Sequence, residues 1–305
     1  MPVSVATVKI SLKTALALAV AVVAVSTSGP LIAFAAAPAL ALAFWRNALA
    51  TAVLVPAAAA TRRAELRGLW RRREVRWSVL AGIFLALHFA TWMAGAQLTA
   101  VATATALAAT QPVWAGIIAF FLGDRPSRGM WLGIGAAVLG TAVATGADLS
   151  TSPRALVGDL LAIAGGLAAA VYTILGERAR AQASTTSYTT ICYAVCAAAL
   201  GAACLLARIP LHGYAVSVWL AIIGLTVGTQ LLGHSMLNYA LHEMSATAVS
   251  MVVMLEVPGA ALISWLWLGQ SPRPLAWAGI ALLVSGVVFV ILGTPRKRLP
   301  VDPEL

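Results

Sequence analysis

Arg46, His88, His234 and Glu256 are ionisable side chains set well inside long apolar runs of this chain. An ionisable group in hydrocarbon costs about 3 kcal/mol on insertion scales, so each is a functional candidate by default. Glu256 is the only acidic residue deep in such a run and precedes Pro258 by two positions. It suits a substrate amine or a transferable proton, or else a carbonyl that Pro258 leaves unbonded. Arg46 could bind a carboxylate through its two-pronged guanidinium, or reach outward to lipid heads. His88 and His234 can donate hydrogen bonds and change charge near neutral pH, or lock neighbouring helices together. Trp92 lies one helical turn after His88, on the same face, where it offers an aromatic wall or plain packing. Gln111, Tyr172 and Asn238 complete the expected substrate-binding set. They stand with Thr91, Ser26 and Tyr239 as weaker candidates whose polar groups suit bonds between helices. Glu256 and His88 are the proton-coupling candidates.

The elements that must position these groups are membrane helices. Apolar residues make up 61% of the 305 residues and charged ones only 10%, with a mean hydropathy of +0.92. A soluble domain carries roughly twice that charge. A spanning helix needs about 20 mostly apolar residues. Ten such stretches occur, at roughly 14–33, 38–59, 77–98, 101–122, 129–147, 156–176, 186–207, 216–239, 246–268 and 275–293. The expected fold is therefore all-α and integral to the membrane, with ten transmembrane helices. The first stretch, with Lys9 and Lys13 ahead of it and Ala33-Phe34-Ala35 at its end, imitates a cleavable leader. Its removal would break the helix parity, so it is taken as a span.

The net charge of +10 is an orientation signal rather than a sign of nucleic-acid binding. With a cytoplasmic N-terminus, 16 of the 20 basic residues fall inside: Lys9, Lys13, Arg62, Arg63, Arg67, Arg71, Arg72, Arg73, Arg76, Arg125, Arg128, Arg178, Arg180, Arg296, Lys297 and Arg298. Arg154, Arg208 and Arg273 fall outside. Both termini are thus expected in the cytoplasm, with the basic excess available to anionic lipid heads. Trp77, Trp131 and Trp277 suit the role of interfacial anchors. Cys192, Cys196 and Cys204 share one apolar helix and suit packing; no metal-ligand spacing is present. No nucleotide loop, nucleophile elbow or other catalytic constellation occurs, so neither an enzyme nor a cofactor is expected.

The chain also repeats itself at an offset of 146 residues. Pro112, Trp131, Gly133, Gly140 and His88 recur as Pro258, Trp277, Gly279, Gly286 and His234. Two halves, 1–148 and 155–305, follow, joined by a polar stretch. Five spans is an odd number, so the halves enter the membrane from opposite sides and form an inverted repeat. The symmetric Pro112 and Pro258 either kink their helices around a cavity or merely set curvature. Arg46 and Glu256 break the repeat, falling opposite Cys192 and Thr110.

These features together resemble the EamA-type permeases of the drug/metabolite transporter superfamily. The motifs are His88-Phe89-Ala90-Thr91-Trp92, Thr99-Ala100-Val101-Ala102, Pro112-Val113-Trp114 and Leu122-Gly123-Asp124-Arg125-Pro126. In the second half come Ser245-Ala246-Thr247-Ala248, Pro258 and Leu268-Gly269-Gln270, and Phe44-Trp45-Arg46 opens the second span. Asp124 and Gln270 stand where the family often has Glu. The resemblance implies an inner-membrane permease that exports small metabolites, amino acids foremost, by alternating access around a midplane cavity. Facilitated diffusion of drug-like amphiphiles is the alternative, and a non-transporting scaffold or enzyme the outlying one. Partners are expected to be a small-molecule substrate and membrane lipid, with the protein a monomer or homodimer.

Overall fold

The computed structural model describes residues 10–71, 75–99, 101–124, 126–146, 152–269 and 271–293. The linker residues 147–151, and Lys9, Arg72, Arg73, Ala100, Arg125, Gln270, Arg296, Lys297 and Arg298, lie outside the described residues. Every regular element among the described residues is a helix. The first half runs α1 (Leu12–Ser26), α2 (Ser28–Phe34), α3 (Ala39–Thr61), the short basic α4 (Arg63–Arg71), α5 (Val75–Leu98), α6 (Val101–Ala108), α7 (Gln111–Phe121) and α8 (Arg128–Thr145). The second half runs α9 (Pro153–Arg180), α10 (Thr185–Leu206) and α11 (Val216–Gly224), then a π-helical segment over Leu225–His234. It closes with α12 (Ser235–Ala240), α13 (Ala246–Val253), α14 (Glu256–Leu268) and α15 (Pro274–Gly293).

Local chemistry sets many of these boundaries. Ser11, Ser127, Ser152, Ser184 and Ser245 each precede a helix, and each side-chain oxygen accepts a first-turn backbone N–H. Such caps contribute about 1 kcal/mol apiece. Gly146, at φ 61°, ends α8 in the left-handed conformation that glycine adopts without penalty.

Nine helical stretches among the described residues are long and apolar enough to cross a membrane, against the ten expected. The missing one is α8. Arg128 opens it, and Gly129, Gly133, Gly135 and Gly140 dilute its hydropathy. Its other face explains those glycines. A Cβ on Gly140 would lie 2.7 Å from the Gly279 carbonyl oxygen, and one on Gly286 would lie 2.6 Å from that of Gly133. Helices α8 and α15 therefore touch backbone to backbone, the packing that small residues permit where no hydrophobic effect drives association. Each glycine meets the repeat partner of the other: 133 faces 286 and 140 faces 279. The two helices thus cross antiparallel about a local two-fold axis.

The discontinuities sit at matching places. Where α6 gives way to α7, and α13 to α14, two residues interrupt each helix, at 109–110 and 254–255. Pro112 and Pro258 stand in the first turn of the second piece, where a missing N–H is tolerated. A kink or a gentle curvature is expected at these prolines; the structure instead interrupts each helix just ahead of them. In the eighth apolar stretch the π-helical segment has no counterpart in α5, its repeat equivalent. A π segment this long is uncommon, and π winding gathers at functional sites.

Candidate functional site

Arg46, on the second turn of α3, is 1% exposed. Its guanidinium carbon stands 4.6 Å above the centroid of the Phe89 ring, and its Nε donates to Oε1 of Gln230 at 2.8 Å. Its Nη2 has no acceptor among the described residues. The π-helical segment delivers Gln230 to this position. Its winding also opens the Gln230 carbonyl to the Ser235 hydroxyl, five residues on, at 3.3 Å, and to the Tyr193 hydroxyl at 3.4 Å.

Phe89 is the hub of an aromatic array. The His88 ring centroid is 5.1 Å from it and that of His234 is 5.7 Å away. Trp92 stacks on His88 with an interplanar angle of 5° and a 6.0 Å centroid separation, as their one-turn spacing predicts. Tyr172 approaches His234 at 6.3 Å. Nδ1 of His88 donates to the Gly165 carbonyl at 2.9 Å. The carbonyl can only accept, so this bond fixes the tautomer and leaves Nε2 as the other ring nitrogen on offer. The packing and cavity roles foreseen for His88 thus coexist: one nitrogen ties α5 to α9 while the ring lines the cavity.

Amides and hydroxyls also line the cavity. Tyr172 pairs with the Asn238 side chain at 2.8–3.0 Å. Gln111 donates to the hydroxyls of Thr173 at 3.0 Å and Ser250 at 2.9 Å, bridging α7, α9 and α13. Glu256 begins α14 at the helix interruption. No hydrogen bond or salt bridge is found for it among the described residues, although its charge and that of Arg46 lie close enough to act on each other through space.

All eight expected side chains line a single cavity of about 400 Å³: Arg46, His88, Trp92, Gln111, Tyr172, His234, Asn238 and Glu256. Both ends of the interrupted helices reach it, through Ala109, Gln111 and Pro112 on one side and Met254, Glu256 and Val257 on the other. Thr91 and Ser26 take another course, bonding back to Leu87 and Val22 on their own helices rather than across to a neighbour. Trp131 is not solely an anchor at the interface, since its ring packs on Gly116. Cys192, Cys196 and Cys204 are buried and unpaired, in keeping with packing. Sequence reasoning missed Gln230, although an amide in mid-span is the same signal that pointed to Gln111. It also missed Phe89, which carries no polar signal. Arg180, expected in an inner connection, is instead fully buried. Its guanidinium donates to the backbone carbonyls of Asn238 and Ala183.

Apolar spans around one polar-lined cavity, with interrupted helices in its wall, define the class of multi-pass membrane transporters. The chain belongs to the EamA-like transporter family, which matches it twice, over residues 12–146 and 156–292. It is 28% identical over 202 residues to a "Probable terminal-alkyne amino-acid exporter" of Streptantibioticus cattleyicolor. That similarity covers 64% of this chain and 66% of the relative, just under two thirds of its length. A crystal structure of a protein 22% identical in sequence superposes with a TM-score of 0.74, over 90% of this chain and 95% of that one. This likeness speaks to the fold.

Proposed function

We propose that this protein exports small zwitterionic metabolites, amino acids foremost, across the cytoplasmic membrane by alternating access. The observation that carries the reading is one cavity that holds, among the described residues, a cation with a spare donor, a carboxyl group with no hydrogen bond or salt bridge, and an aromatic wall. An amino acid needs those three complements. Arg46 takes the α-carboxylate, and charge-assisted hydrogen bonds of this kind are among the strong ones. Glu256 takes the ammonium, helped by the gap in its helix. Trp92 and His88 pack the side chain, while Gln111, Tyr172, His234 and Asn238 complete the wall. A cavity of this size accommodates a free amino acid. The name of the S. cattleyicolor relative supports the same cargo class.

In this reading α8 is the tenth span, and residues 1–148 and 155–305 are two inverted five-helix halves. The crossing of Gly133 and Gly140 with Gly286 and Gly279 supports that inversion, because repeat partners meet across it. Both termini are cytoplasmic, on the side of α4 with its arginines. Glu256 and His88 are the proton-coupling groups. The test is flux of labelled amino acids in proteoliposomes, with and without an imposed pH gradient. Neutral amino acids are expected to move, while their amides and decarboxylated amines compete poorly. Glu256→Gln is expected to abolish the response to the gradient. Equal competition by amines lacking a carboxylate would instead favour the amphiphile reading, and no flux across a broad panel would sink the cargo class.

A further inference from the structure

Two exposed arginines from different helices meet over one indole. Arg76 lies at the start of α5 and Arg178 near the end of α9, and both are exposed. Their guanidinium carbons stand 4.6 Å and 5.2 Å from the centroid of Trp77. Neither has an acidic partner among the described residues. The indole attracts each cation, but it cannot neutralise two. Like charges held this close raise the local positive potential, and an anion between them would relieve it.

A second feature lies at the same end of the bundle. Helix α4 exposes Arg63, Arg67, Trp70 and Arg71, which follow one helical face at spacings of three and four. Trp70 is 62% exposed. The opposite face of α4 is tied down: Leu69 is buried. Glu65 accepts from the Ser184 backbone N–H at 2.7 Å and from its hydroxyl at 2.9 Å. Glu65 is therefore engaged at the start of α10, and its partners place α4 beside the connection that follows Arg178.

We propose that Arg76, Trp77 and Arg178, flanked by the arginine face of α4, form a binding site for the headgroup of an anionic phospholipid. A phosphodiester supplies a counter-charge that neither guanidinium has among the described residues. Its acyl chains continue along α5 and α9 into the membrane, and indoles favour the headgroup level. Because α4 joins the helix bearing Arg46 to the one bearing His88, a lipid held here steadies two walls of the cavity. The site stands independently of the cargo assignment.

The test uses the purified full chain in neutral detergent, titrated with phosphatidylglycerol, phosphatidylcholine or inorganic phosphate while thermal unfolding is followed. Phosphatidylglycerol is expected to raise the midpoint saturably, and phosphatidylcholine to leave it unchanged. Excess phosphate is expected not to displace the lipid. Each basic residue near an anionic headgroup contributes about 1 kcal/mol, so Arg76→Gln and Arg178→Gln should each raise the half-saturating concentration about fivefold. Added salt should weaken the response. If either variant does not fold, the other variant and the salt series read the same quantity. Arg154→Gln with Arg273→Gln, at the other end of the bundle, should change nothing. An unchanged response in Arg76→Gln and Arg178→Gln, an equal response to phosphatidylcholine, or displacement by free phosphate would each overturn the proposal.

Discussion

Arg46 is nearly inaccessible, yet its one side-chain hydrogen bond among the described residues goes to a neutral amide, Oε1 of Gln230. A buried guanidinium without a carboxylate is costly unless something completes it, and in the proposed cycle the cargo does. Gln230 then tunes the site: its oxygen holds Arg46 without neutralising it. Gln230→Glu should convert that contact into a permanent ion pair that competes with the substrate carboxylate. The expected outcome is a folded protein of equal or higher thermal stability, with transport affinity weakened about 10- to 100-fold, the weight of a charged hydrogen bond. Proteoliposome flux against substrate concentration measures it. Unchanged affinity would remove Arg46 from carboxylate recognition. At this scale polarity out of place was the sequence's signal, although Gln230, which carries it too, was passed over. His88, Glu256 and Arg46 all announced themselves by sitting in hydrocarbon. Phe89 did not, because an apolar ring in an apolar run carries no signal, although Arg46 and both histidines gather on it.

At the scale of elements, the interruptions in the fourth and ninth apolar stretches follow from proline. Pro112 and Pro258 each lack an N–H, and the chain tightens into short-range bonds just before them, such as Thr110 to Leu107 and Leu255 to Val252. Their matching positions in the repeat made this legible. The π-helical turn over Leu225–His234 was not, since α5, its repeat equivalent, is regular. Tertiary bonds from Arg46 and Tyr193 to Gln230 hold it. The α8–α15 crossing gives a sharper prediction. A Cβ on Gly140 would lie 2.3 Å from the Leu283 backbone nitrogen, whereas one on Gly135 meets nothing within 4 Å. Gly140→Ala should therefore destabilise the protein by about 1–3 kcal/mol, and Gly135→Ala should not. Thermal unfolding of both purified variants checks this. Equal midpoints would mean that the backbones do not touch there.

For the whole molecule, the proposed inversion depends on α8 crossing the membrane despite Arg128 and its glycines. With ten crossings, residues 128 and 154 lie on opposite sides. The native cysteines are buried in a span, so single introduced cysteines can be labelled against a quiet background. Arg128→Cys should react with an impermeant maleimide only after the membrane is opened, and Arg154→Cys should react from outside intact cells. Labelling of both from the same side would cancel the tenth span and the inverted arrangement with it.

The sequence by itself determined the solvent, the helical class, the duplication and the identities of the polar groups. All of these follow from hydropathy, span length and a repeat of residue types, which are local properties. Only the tertiary structure decided that eight side chains from seven helical elements meet in one cavity. Helix rotation and backbone contact distance set that convergence, and no single span encodes either. The same holds for the pairing of Arg46 with Gln230 rather than Glu256, 184 residues apart in the chain. An intramembrane cation advertises its need for a partner. Which partner it meets depends on how the helices pack.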